Sequence, residues 1–342
     1  MRVIRRTLRI LVLFLAAAVA GGAVWQLTRE TGIDWSASVG IAPEEKVPVP
    51  HEDGMLLSLV LLSDLHINAE NTAMTEKLHM ALRDVTSYDP APDVIVLGGD
   101  LVDGGRDKDY EQLRKILSQY RLPPVYGLMG NHEYYDVWYD AQGVWARETM
   151  PNGKTDAQAR ERFIRFMNYP GRPYHDVWVN GVHLIMLSQE AYQEELPWVG
   201  EGAWYSDAQL NWLREVMKVH ADGSPALVFI HQPLPPPGYD GGSHQMIRAR
   251  KFYEILAPYP NVFVFSGHNH VSLEVSGRYT RDATFHWFQN ASVGKTWLDT
   301  SSQPNPVQGL YVQVYPDYVE VWGREFSTNS WIETAHWRVP LE

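Results

Sequence analysis

Apolar residues fall along this chain in short, nearly unbroken runs, each stopped by a small or polar residue. Residues 55–62, 93–97, 124–128, 226–230 and 262–265 are such runs. Their continuity predicts strands buried on both faces, because a half-exposed strand would alternate. Between them the period changes. Met74, Leu78 and Leu82 recur at helical spacing after a candidate cap at Asn71 or Thr72, which predicts a helix to about Ser87. A polar helix is predicted over 108–119, and Ser206-Asp207-Ala208-Gln209 has the form of a capping box opening a helix to about Val219. Strand, helix, strand, helix, strand implies parallel pairing with right-handed crossovers. Ligands of such sheets bind beyond the carboxyl ends of the strands.

Elsewhere the pattern is shorter. Residues 174–179 and 182–187 flank Asn180-Gly181, a hairpin signal. After Val271 come short alternating strands at 285–289, 310–314 and 319–322. Residues 134–155 show no regular period and carry Tyr134, Tyr135, Trp138, Tyr139 and Trp145. That stretch reads as an insertion, serving either as a lid or substrate wall or as packing over the rim. The sum is an α/β chain: one domain, two sheets packed together, helices outside.

The N-terminus follows another rule. Arg2, Arg5, Arg6 and Arg9 precede an uncharged apolar run from Ile10 through Leu15 to Trp25 and Thr28. This is the pattern of a secretory signal, with Ala18-Val19-Ala20 as a small-x-small cleavage site. An uncleaved anchor is the alternative, since the run approaches membrane-spanning length. Either form leaves the basic end in the cytoplasm and the body outside. Residues 1–28 thus read as signal or anchor, 29–54 as a Pro-containing linker, and 55–342 as the folded body.

Charge and composition narrow the partners. The 342 residues carry a net charge of -12, and no basic stripe is visible, so no nucleic-acid partner is expected. Arg248, Arg250 and Lys251 form a small cluster that a solvated helix face explains. With no cysteine, disulfides, thiolate metal sites and cysteine nucleophiles are all excluded.

Candidate chemistry sits where the apolar runs stop. Asp64-Leu65-His66, Gly99-Asp100, Gly130-Asn131-His132-Glu133, His231 and Gly267-His268-Asn269-His270 follow five runs in order. Each motif alone occurs by chance in many chains. Together they supply carboxylate, amide and imidazole donors from several rigid elements to one rim, which suits a pair of divalent ions. His51, His79, His175, His183, His220, His244, His286 and His336 lie outside these motifs and read as surface or core residues. The Asn290-Ala291-Ser292 sequon carries no weight beside a bacterial-type export signal.

The motif set resembles that of the calcineurin-like metallophosphoesterases, over roughly residues 56 to 322. The resemblance implies a four-layer αββα sandwich, two central mixed sheets flanked by helices. It also implies two divalent metals, Mn, Fe or Zn. One would take Asp64, His66 and His270, the other Asn131, His231 and His268, with Asp100 bridging. Phosphate mono- or diesters would be hydrolysed by a hydroxide held between the ions, with His132 as general acid. Glu133 or Asp103 would orient neighbouring histidines. Purple acid phosphatases, by resemblance, carry a tyrosine three residues after the bridging aspartate and lack the first-motif histidine. Here Asp103 and His66 stand at those places, which excludes that type. The expected substrate is a small or membrane-borne phosphate ester. A pyrophosphatase of lipid-linked nucleotides and a non-catalytic metal-binding scaffold are the alternatives.

Overall fold

A computed structural model describes Ile33 and residues 46–282, 285–296 and 305–342. The signal or anchor expected at 1–28 lies outside the described residues. Among those described, no helix is long and apolar enough to cross a membrane.

In chain order the elements are β1 (Val47–Pro48), β2 (Leu57–Leu62), α1 (Ala73–Ser87), β3 (Tyr88–Asp89), β4 (Val94–Leu97), α2 (Asp107–Leu117) and β5 (Val125–Gly127). Then follow α3 (Asp156–Met167), β6 (His175–Val179), β7 (Val182–Met186), α4 (Asp207–Met217), β8 (Ala226–Phe229), α5 (Ala249–Leu256) and β9 (Val262–Ser266). β10 (Tyr279–Asp282), β11 (Phe285–Gln289), β12 (Gln308–Val314), β13 (Tyr318–Glu325) and β14 (Ser330–Pro340) close the chain.

Two six-stranded mixed sheets carry the fold, in the orders β14-β13-β12-β2-β4-β5 and β10-β11-β9-β8-β7-β6. β2, β4 and β5 are parallel in the first, and β7, β8, β9 and β11 in the second. Strand parity explains the layering. Leu227, Phe229, Phe263 and Phe265 face the core shared with β2 and β4, while Val228, Ile230, Val262 and Val264 face α4 and α5. Both faces of β8 and β9 are therefore covered, which is why their sequences are continuously apolar.

Several elements differ from expectation. Residues 46–54, read as linker, lie against the body: β1 pairs with β3, Val49 is buried, and Glu52 bonds Tyr318 and Arg338. The 134–155 stretch contains short 3-10 helices at His132–Trp138 and Arg147–Thr149. α3 was not expected; Thr155 caps it by accepting from the Gln158 backbone, and Ala159, Phe163, Phe166 and Met167 are buried. β14 follows a register shift at Trp322/Gly323 that breaks simple alternation. The Arg248, Arg250 and Lys251 cluster is paired with Asp207 and Asp240.

Candidate metal centre

Every motif lies just beyond the carboxyl end of a strand, and three of the five turn there through left-handed backbone. Asp64, His66, Asp100, His268 and His270 all have φ between 50° and 72°, the left-handed region that side chains other than glycine's disfavour. Five of the seven expected ligands thus occupy strained backbone. Glycines make the close approach possible. A Cβ on Gly130 would lie 2.4 Å from Asp100 Oδ1, and one on Gly99 would lie 2.5 Å from His231 Nδ1.

The turns bring the donors together. Asp64, His66, Asp100 and His270 each place one donor atom within 4.8 Å of the others, and so do Asp100, His231 and His268. Asp100 belongs to both groups. Its Oδ2 lies 3.1 Å from His231 Nε2 and 4.0 Å from His66 Nε2, while Oδ1 accepts the His132 backbone N–H at 2.9 Å. His270 Nε2 lies 3.0 Å from Asp64 Oδ1, and the Asp64 carboxylate accepts the His268 backbone N–H. His231 Nδ1 bonds the Gly98 carbonyl at 2.8 Å, which turns Nε2 inward. Asn131 precedes His132 on the same turn, and its Nδ2 bonds Tyr135 Oη at 3.1 Å and Glu201 Oε2 at 2.9 Å.

The electrostatics favour cations. Burial alone would raise the Asp64 carboxyl, yet His270 and His231 hold it at about 2, and Asp100 is likewise held well below its usual range. Burial lowers His66 to about 4 and His268 to about 3, leaving both neutral, as ligands must be. Against its own burial, His231 is raised to about 10 by Asp100 and Asp64. Two buried carboxylates thus draw positive charge to whatever adjoins them. His268 Nδ1 is buried without a hydrogen-bond partner. Hard carboxylates, neutral imidazoles and an orphaned ring nitrogen fit a pair of divalent ions.

His132 stands at the margin, with a side chain 20% exposed. Its Nδ1 bonds the Asp103 carbonyl at 2.8 Å, so Nδ1 carries a proton and Nε2 is left for chemistry. Asp103 Oδ1 lies 3.6 Å from Nδ1 of both His66 and His132. Glu133 differs from expectation, since none of its hydrogen bonds is to a histidine. Fully buried, it accepts from the backbone N–H groups of Gly130, Asp100, Leu101 and Val102, tying two motif loops together. Burial and then the charge of Asp100 raise its carboxyl to about 8, with those N–H groups opposing.

Two residues outside the motifs come close. His244 read as surface or core; it is exposed, and its ring centroid lies 5.8 Å from that of His268. Glu201 carried no signal beyond its flanking glycines, Gly200 and Gly202, where a Cβ would press on Ser243 and on the Gly242 carbonyl. The sequon is structural: Asn290 is 1% exposed, and Ser292 Oγ bonds the Asp64 carbonyl.

The calcineurin-like phosphoesterase family model matches residues 57–272, and the chain belongs to that family. It is a phosphoric ester hydrolase of a class built on a dimetal centre. A probable cyclic nucleotide phosphodiesterase of Synechococcus is 26% identical over 66% of this chain and 78% of the relative. The glycerophosphodiester phosphodiesterase GpdQ of Enterobacter lignolyticus is 25% identical over 60% of this chain. The present chain spans 63% of that relative's length. Among solved structures, a dimetal phosphatase from Danio rerio superposes with a TM-score of 0.57 at 13% identity, over 84% of this chain and all of that one. A yellow lupin purple acid phosphatase gives 0.56 at 11% identity, over 83% of this chain and 53% of that one. These two likenesses concern fold alone.

Proposed function

We propose that the chain hydrolyses a small phosphodiester outside the cytoplasm. The observation that carries this reading is Asp100, shared by two donor groups that converge on one rim. Asp64, His66 and His270 would hold one ion, Asn131, His231 and His268 the other, and Asp100 both. When bound, such ions supply Lewis acidity toward phosphoryl oxygens and lower the pKa of water.

The chain's own residues do the rest. With its Nδ1–H held by the Asp103 carbonyl, His132 presents Nε2, which in the doubly protonated imidazolium can pass its proton to the departing ester oxygen. Diesters are favoured because the related proteins named above include two phosphodiesterases. Exclusion of long nucleic acids rests on charge: 29 Lys+Arg against 41 Asp+Glu repel a polyanion, while a compact ester meets only the local field. Export, with possible membrane association, rests on the four arginines ahead of the apolar run.

The test is a panel of monoesters, small diesters, cyclic nucleotides and single-stranded DNA, assayed with Mn-loaded protein across a salt series. Small diesters should be cleaved best. DNA cleaved more efficiently than any small ester, with steep loss in salt, would overturn the substrate class. A C-terminal reporter active only in the cytoplasm would overturn export.

A further inference from the structure

Asn131 and His132 are neighbours with different tasks, one holding a cation and the other a proton. One side chain outside every motif serves both. Glu201 Oε2 accepts from Asn131 Nδ2 at 2.9 Å and from Tyr135 Oη at 2.9 Å, while Oε1 accepts from Tyr192 Oη at 2.8 Å. The Tyr135 ring lies against His132, with centroids 3.9 Å apart and planes 30° apart. The Glu201 backbone is fixed too, donating to the Ser243 carbonyl at 2.9 Å.

We propose that Glu201 is a positioning residue of the metal centre, setting the orientation of the Asn131 amide and bracing His132 through Tyr135. This rests on the dimetal reading above. A primary amide has one oxygen and one nitrogen, and only the oxygen can ligate a hard cation. A carboxylate is purely an acceptor, so it takes the NH₂ end and turns Oδ1 the other way. On that other side Gln232 Nε2 approaches Oδ1 only at 3.4 Å, leaving a lone pair available. Without Glu201 the amide can rotate and present its NH₂ to the cations. Tyr135 cannot prevent this, because a hydroxyl serves either end as donor or acceptor.

A purely structural Glu201 would stabilise the loop and leave cation binding unchanged, so the readout is metal affinity. Metal-free protein is titrated with Mn²⁺ or Zn²⁺ by calorimetry, with stoichiometry checked by elemental analysis. Wild type should bind two equivalents. Glu201→Ala should bind the second about 10–100-fold more weakly, the usual effect of losing a group that orients a ligand. Glu201→Gln keeps a carbonyl oxygen for Asn131 but can also turn its NH₂ toward it, so it should weaken the second equivalent less than Glu201→Ala does. Glu201→Asp retains the charge but withdraws the oxygen by one methylene, and should weaken the second equivalent even if the alanine variant does not fold. Equal affinities in wild type, Glu201→Ala and Glu201→Asp overturn the proposal, as does equal loss in Glu201→Gln and Glu201→Ala. If wild type binds no cation, the dimetal reading itself falls. If only the Glu201 variants behave as wild type, that reading stands and this one does not.

Discussion

Among the described residues, two clusters of histidine and carboxylate stand in contrast, one drawn from both sheets and the other associated with the second sheet alone. One is the rim just described. The other joins Asp176, His183 and His220 beneath Trp178, where β7 and β8 begin. There each ring nitrogen has a partner. His183 Nε2 meets Asp176 Oδ2 at 3.0 Å, His183 Nδ1 meets His220 Nε2 at 2.9 Å, and His220 Nδ1 meets Ser224 Oγ at 3.0 Å. His220 Nδ1 also lies 3.1 Å from the Ser224 carbonyl, so every ring nitrogen of the cluster lies within hydrogen-bond distance of a polar atom. Trp178 stacks on His183 at 4.3 Å, and no member has left-handed backbone. The rim shows the reverse, with strained φ angles, glycines without room for a Cβ, and an unpartnered nitrogen on His268. Residue type does not separate a structural histidine cluster from a ligand site. Satisfaction and strain do.

The largest expected effect follows from breaking the rim at its shared member. Asp100→Ala removes the one carboxylate common to both donor groups, leaving two cations without an anion between them. Metal content should fall below two per chain, and phosphoesterase activity should vanish. Asp176→Ala, which deletes the carboxylate of the other cluster, should leave both unchanged. Full activity in the Asp100 variant would end the two-metal reading; loss of metal in the Asp176 variant would erase the distinction between the clusters.

His132 sharpens the comparison within the rim, because it adjoins the ligands without being one. His132→Ala should retain both metals while turnover falls about 10²–10⁴-fold for alkoxide leaving groups, the usual worth of general acid catalysis. Nitrophenyl esters, whose leaving group needs less protonation, should lose less. Equal losses for the two substrate types, with metals retained, would remove the general-acid role.

Why some of this was legible in the sequence, and some not, follows from how each feature is encoded. β2, β4, β8 and β9 are buried on both faces, so they appear as apolar runs, and the motifs at their ends share an order along the chain. α3 carries a local signal in the sequence, since Thr155 and Gln158 form a reciprocal cap and Ala159, Phe163 and Phe166 share a face. β14 was hidden because its half-exposed pattern is interrupted by the shift opposite Trp322. Glu201 and His244 were illegible for another reason. Each is a single polar residue in an irregular loop, and only tertiary pairing, such as the Ala203 bridge to Met246, brings their loops beside the site.

The smallest effect concerns the satisfied cluster and should appear in stability alone. Burial lowers His220 to about 4, with His183 adding to the shift. An unfolded histidine titrates near 6.5, so between about pH 6.5 and 4 the unfolded chain binds a proton that the folded chain refuses. Stability should therefore fall as pH falls through that window, by up to about 2 kcal/mol from this group. Nearby charge adds to the trend only at lower pH: Asp176, held below its usual value chiefly by its hydrogen bond to His183 despite burial, loses its contribution there. Burial also lowers His175 and His286 to about 4, and they impose the same slope on any variant that retains them. The informative quantity is thus a difference. Thermal melts of metal-free wild type and His220→Gln should diverge most at pH 7 and converge toward pH 4, because glutamine has no proton to gain. Metal affinity and turnover at pH 7 should match wild type in that variant. Parallel melting curves across the window would show that His220 is not held neutral by its surroundings, and loss of metal would show that the two clusters are not independent.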